Sequence, residues 1–174
     1  NPAALKADLH RLERGGTLII NTDAFDERNL DKAGYTNSPL DDGTIDGYRV
    51  IRVPMTTITK EACAPLGVKP RDAERSKNFF ALGLVSFMYS RPTEPTLEWI
   101  AEKFGSREQV AAANTAAFTA GLNYAETTEA VGHRYEVRPA SLPAGEYTSI
   151  TGNTALSWGL VAAGQLAKLP VTLG

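Results

Sequence analysis

The chain has 174 residues, 43% hydrophobic and 22% charged, enough to bury a real core in one domain or in one domain plus a fragment. Lys and Arg number 18 against 20 Asp and Glu, a net charge of -2, and no basic block interleaves with aromatics, which argues against a nucleic-acid partner. No apolar stretch is long and uninterrupted enough to cross a bilayer, and Asn1 to Leu12 lacks the order of a signal peptide, so a cytoplasmic protein without a membrane partner is expected.

Cys63 is the sole cysteine, which rules out an intrachain disulfide and a cysteine-held iron–sulfur cluster or zinc site; any such cluster must sit on another chain. His10 and His133 stand beside no Cys or carboxylate at ligand spacing and read as surface or packing residues.

In chain order, Ala3 to Leu12 reads as a helix with Ala4, Leu5, Leu9 and Leu12 on one side, stopped by Gly15-Gly16 before a short strand, Thr17 to Asn21. A polar stretch from Asp26 to Gly47 reads as partly loop, and Tyr48 to Val53 as a second strand ending at Pro54. Thr57 or Thr59 is expected to cap a short helix through Leu66, ended by Gly67. Pro70 fits the first turn of a long segment running to Tyr89, apolar nearly all round and therefore buried, with Gly83 marking close backbone packing.

Thr93 is expected to cap a helix whose Leu97, Ile100, Ala101 and Phe104 share one face, and Gly105 to end it. Ser106 and Gln109 have capping-box spacing for the longest helix, whose face runs through Val110, Ala113, Ala117, Phe118, Gly121, Leu122 and Ala125. Arg138 to Gly145, with two prolines, reads as a linker; Asn153 is then expected to cap a helix from Thr154 to Leu166. The chain opens without a methionine and closes on Leu169 to Gly174, which reads as a buried strand with nothing after it, so truncation at both ends is expected.

The residues alone carry no strong catalytic motif. Gly15-Gly16 precedes a strand, whereas a dinucleotide fingerprint places its glycines between strand and helix, where backbone amides reach a pyrophosphate. Asn21-Thr22-Asp23 ends a strand on the edge where open α/β sheets bind ligands, although a polar strand end is more often a turn. The best local candidate is Arg75-Ser76-Lys77-Asn78: two cations and an amide at a helix start could meet an anionic partner such as a nucleotide phosphate, or could form a solvated first turn.

Longer strings carry a resemblance. Asn21-Thr22-Asp23-Ala24-Phe25, Arg28-Asn29-Leu30, Ala33-Gly34-Tyr35, Val53-Pro54-Met55-Thr56, the run Ala73 to Leu84 and Arg91 to Thr96 together resemble a gamma-type domain. That domain begins fused alpha subunits of 2-oxoglutarate:ferredoxin oxidoreductase. Ile150 to Leu156 with Gly159 to Ala163 resembles the opening helix of the pyrimidine-type, thiamine-diphosphate-related domain that follows it.

The resemblance implies an α/β fold with an incomplete, mainly parallel sheet covered by helices, followed by the start of a second α/β domain. It implies residues 1–136 as gamma-type domain, 137–148 as linker and 149–174 as the start of the pyrimidine-type domain. It also implies CoA-dependent oxidative decarboxylation of 2-oxoglutarate to succinyl-CoA with reduction of ferredoxin. Thiamine diphosphate, magnesium and a four-iron four-sulfur cluster would lie mainly on the beta subunit, with none expected to be bound by this stretch alone. The family's Gly-rich first unit and its Tyr-Pro-Ile-Thr-Pro loop are absent, so no catalytic residue carries over. Arg75, Lys77 and Asn78 would meet the phosphates of coenzyme A or a beta-subunit carboxylate. A relative acting on pyruvate or another 2-oxoacid, and a non-catalytic assembly module of the same fold, are the alternatives.

Overall fold

The computed structural model of the protein describes residues 1–129 and 131–170. Helix α1 (Pro2–Asp8) starts where Pro2 needs no amide partner and the Asn1 side chain accepts from the Ala4 amide at 2.9 Å. It tightens into a 3-10 turn over Leu9–Arg11, and Leu12 is extended, so the helix stops short of the expected Leu12. Gly15, at φ 81°, then turns the chain; its amide donates to the Gly47 carbonyl at 2.8 Å while Arg49 donates to Gly16 at 2.9 Å. These two bonds start the pairing of β1 (Thr17–Asn21) with β2 (Arg49–Val53), a parallel pair in register from Thr17 opposite Arg49 to Asn21 opposite Val53.

A helix that composition hid lies between the strands. Helix α2 (Glu27–Lys32) begins at Asp26, whose carboxylate accepts from the Asn29 amide at 2.8 Å: the acidic residue that suggested loop is a cap. Lys6 of α1 holds the far end, donating to the Ala33 and Gly34 carbonyls at 3.0 and 2.6 Å with its ammonium 4.9 Å from the Tyr35 ring centre.

Helix α3 (Met55–Cys63) continues as a 3-10 turn over Ala64–Leu66 and is ended by Gly67 at φ 66°. Neither Thr57 nor Thr59 caps it, because Pro54 already turns the chain into the helix and both threonines lie inside. Thr59 instead donates back to the Met55 carbonyl at 2.6 Å. The segment expected as one long helix is α4 (Pro70–Ala73), a 3-10 turn over Glu74–Ser76, and α5 (Lys77–Met88). Then come α6 (Glu94–Phe104) and α7 (Glu108–Thr127), which at 20 residues is the longest described helix. The Ser106–Gln109 capping box does not form. Arg107 donates to the Phe104 carbonyl at 2.7 Å, which extends the turn by one residue and makes Arg107 the N-cap, without a side-chain bond.

The core brings Ile51 and Val53 of β2 and Met55 of α3 against Phe80, Leu84 and Met88 of α5, with Ala117 and Ala125 of α7 behind them. Helix α5 is therefore central, yet its apolar sequence is not buried all round: Leu82 is 41% exposed, because among the described residues no element covers that side. After α7 the chain returns to α5, where Tyr135 donates to the Met88 carbonyl at 2.7 Å and its ring stacks on Tyr89 at 5.2 Å.

Compact packing extends over Asn1–Val137; a second unit begins at Arg138. That unit holds α8 (Gly152–Ala167), capped by Thr151, whose hydroxyl accepts from the Thr154 amide at 3.2 Å. Thr151 rather than Asn153 is the cap, because Thr151 is extended at ψ 156° and Gly152 already starts the helix. Of the expected terminal strand, residues 171–174 lie outside the described residues. The architecture is α/β, a small parallel sheet covered by helices.

Candidate functional site

The junction of α4 and α5 presents the predicted cations, and helical spacing explains how. Ala73, Ser76 and Phe80 share the inward face and are buried, which turns Arg71, Arg75 and Asn78 outward, with Lys77 half-buried between. Ser76 fixes the junction by donating to the Oδ1 of buried Asn114 on α7 at 2.7 Å. Ala73 packs with Cys63 and Ala113 in a small apolar cluster.

Arg75, Lys77 and Asn78 line one shallow depression together with Arg71 and Glu74. Their charges are partly answered within the chain. Lys77 lies 3.4 Å from Glu74, Lys60 of α3 lies 3.1 Å from the other Glu74 oxygen, and Arg75 is 3.6 Å from Asp72. The Lys60 hydrogen bond, aided by the charges of Lys60 and Lys77, holds the Glu74 carboxyl below its usual range. Four cations thus face two carboxylates, leaving a net positive surface. The amides do not add to it as expected for a helix start: the 3-10 turn runs directly into α5, and the Lys77 amide already donates to the Glu74 carbonyl.

Lys77 and Asn78 also form one wall of a cleft of about 320 Å³ that reaches Asn21 and Met55 at the carboxyl end of β1, the edge where open α/β sheets hold ligands. Asn21 and Asp23 have a definite duty there. Asn21 Oδ1 accepts from the Met55 amide at 3.1 Å, its Nδ2 donates to Thr56 Oγ1 at 3.0 Å, and Asp23 accepts from the Thr57 amide at 2.7 Å. Two side chains from the strand end thus cap α3, which lacks a local cap. With Asp23 and Thr57 34 positions apart, no short motif could have signalled this. Asn114 did leave a signal, being an amide on the small-residue face of α7.

Cys63 is fully buried, its Sγ 3.6 Å from the Ala113 carbonyl, and burial raises its thiol pKa. His10 and His133 are both exposed.

The profile of the pyruvate ferredoxin/flavodoxin oxidoreductase family matches residues 1–124. Across all 174 residues the chain is 52% identical to the 2-oxoglutarate oxidoreductase subunit KorA of Mycobacterium tuberculosis (strain ATCC 25618 / H37Rv), and it spans 27% of that relative's length. No solved structure gives a significant match. On the family match over most of its length and this identity, the chain belongs to the pyruvate ferredoxin/flavodoxin oxidoreductase family.

Proposed function

We propose that the chain is part of the alpha subunit of a 2-oxoglutarate:ferredoxin oxidoreductase. In that reaction 2-oxoglutarate loses carbon dioxide, its acyl group passes to coenzyme A as succinyl-CoA, and two electrons reduce ferredoxin. The observation that carries this reading is the 52% identity, sustained over every residue of the chain, to a subunit named for 2-oxoglutarate. Within it, residues 1–136 are the gamma-type domain, 137–148 the linker and 149–174 the start of the pyrimidine-type domain; the compact unit ending at Val137 supports that division. The enzyme is taken to work in the cytoplasm. No helix among the described residues is long and apolar enough to cross a membrane.

The chain's own donors do not fit an iron–sulfur cluster, since its one thiol is buried and a cluster takes several thiolates. The cluster, with most of the thiamine diphosphate and its magnesium, is assigned to the beta subunit. This chain's contribution is the cationic wall of Arg75, Lys77 and Asn78, proposed to receive the phosphates of coenzyme A. The cleft at the end of β1 supports Lys77 and Asn78 in that role more than Arg75, which is well exposed and already paired.

Co-expression of the full alpha subunit with its beta subunit tests the reading, with ferredoxin reduction measured against coenzyme A and either 2-oxoglutarate or pyruvate. Turnover with 2-oxoglutarate well above that with pyruvate is expected. The reverse preference would support the family description that names pyruvate, and assembly without turnover on any 2-oxoacid would support a non-catalytic module. Lys77→Ala is expected to raise the KM for coenzyme A while leaving that for 2-oxoglutarate unchanged.

A further inference from the structure

On the opposite side of the α4–α5 junction from the β1 cleft lies a groove of about 410 Å³. Its walls are the rings of Phe79 and Phe104 and the side chain of Val110, its rims are Arg75 and Arg107, and Asn114 stands at its floor. Phe79, Phe104 and Trp99 form a cluster with centroids 5.8 to 6.3 Å apart, so the apolar wall is built from rings packed on one another.

Three observations give the groove a chemistry. Arg107 forms no ion pair among the described residues; its guanidinium rests 5.6 Å from the Phe104 ring centre, held in place with its charge unanswered. The same residue is the N-cap of α7 without a side-chain cap, so the positive end of a 20-residue helix opens here too. Independently, Asn114 is only 4% exposed, and its Oδ1 is taken by Ser76, yet its Nδ2 donates to nothing among the described residues. Among the described residues no side-chain nitrogen is both fully buried and unbonded, so that Nδ2 reaches open space there, and the groove is the open space that Asn114 lines. Asp72 is the one carboxylate of the lining among the described residues, and it is paired with Arg75.

We propose that this groove binds an oxyanion, phosphate or carboxylate, carried on a flat apolar body, with Arg107 on the anion, Asn114 donating to it, and Phe79 and Phe104 against the apolar part. The inference does not depend on which 2-oxoacid the enzyme uses, nor on the Lys77 cleft.

The test is a titration of the intact, isotope-labelled chain with phenyl phosphate, benzoate, inorganic phosphate and benzyl alcohol, followed through the Asn114 side-chain amide signals. Phenyl phosphate or benzoate is expected to shift those signals saturably, each more tightly than inorganic phosphate or benzyl alcohol; the tighter of the two identifies the oxyanion. Arg107→Gln, on an exposed side chain that leaves the core intact, is expected to weaken binding roughly tenfold. The proposal is overturned if no probe shifts Asn114 below about 10 mM, if benzyl alcohol binds as tightly as phenyl phosphate, or if Arg107→Gln binds like the parent chain.

Discussion

Gly83 of α5 and Gly121 of α7 each press against the other helix's backbone: a Cβ on Gly83 would collide with the Phe118 carbonyl oxygen, and one on Gly121 with that of Phe80. The two glycines let the central helices cross in direct backbone contact, and Leu122 N would also lie 3.0 Å from a Cβ on Gly83. A backbone carbonyl cannot rotate aside as a side chain can. Gly83→Ala and Gly121→Ala are therefore each expected to cost about 1–3 kcal/mol, overriding the helix-propensity gain of about 1 kcal/mol. Urea denaturation of the chain measures this. Gly159→Ala on α8, where nothing stands within 4 Å, is the control and is expected to be neutral or mildly stabilising.

Gly83 was legible from sequence because a glycine weakens the interior of an apolar helix and is best tolerated where another backbone comes close. Both strands, most of the helices and Gly67 as a stop were readable for a similarly local reason: periodicity and breakers act within a few residues. What could not be read is held by distant partners. The α3 cap comes from Asn21 and Asp23, and α2 hides in a segment whose Asp26 signals loop and cap alike. The cations of Arg75 and Lys77 were visible as residue types, whereas their pairing with Asp72 and Glu74, and the position of Lys77 on the cleft, depend on a 3-10 turn that shifts the helical phase.

Asn21 should matter more to stability than its partial exposure suggests. It supplies both an acceptor to the first turn of α3 and a donor to buried Thr56, so Asn21→Ala removes a cap and strands a hydroxyl. A loss of about 1–2 kcal/mol is expected, against about 0.5–1 kcal/mol for the more exposed Asp23→Ala. Circular dichroism melts of both variants check the order, and a larger loss for Asp23 would contradict this account of the cap.

Cys63 gives an alkaline prediction. Burial raises the folded-state pKa of its thiol, so the folded chain keeps the proton more tightly than the unfolded chain. The stabilisation is fully present below the ordinary thiol pKa and is lost as pH rises through the raised folded value. Cys63→Ala should flatten that alkaline decline, although it lowers stability at neutral pH by leaving a small cavity. Thiol reagents should label the native chain only as fast as it opens, and immediate stoichiometric labelling would show the thiol to be accessible.

Glu74 sets the charge of the proposed coenzyme A wall, because its carboxylate occupies both Lys60 and Lys77. Its folded pKa is depressed, chiefly by the Lys60 hydrogen bond, so its contribution to stability is present above the ordinary carboxylate pKa and lost as pH falls through the depressed value. Since the Glu74 side chain is 43% exposed, solvent screens these pairs and limits that contribution to about 0–1 kcal/mol. Glu74→Gln should therefore barely change the melting temperature at neutral pH while freeing the Lys77 ammonium, which lines the cleft, from its carboxylate partner. If Lys77 meets a phosphate there, the variant in the assembled enzyme should show a lower KM for coenzyme A and a steeper rise of that KM with salt, with the KM for 2-oxoglutarate unchanged. Lys77→Ala in the Glu74→Gln background should cancel the gain. An unchanged KM for coenzyme A in both variants, with assembly intact, would leave Lys77 as a solvated partner of Glu74 and place the phosphates elsewhere.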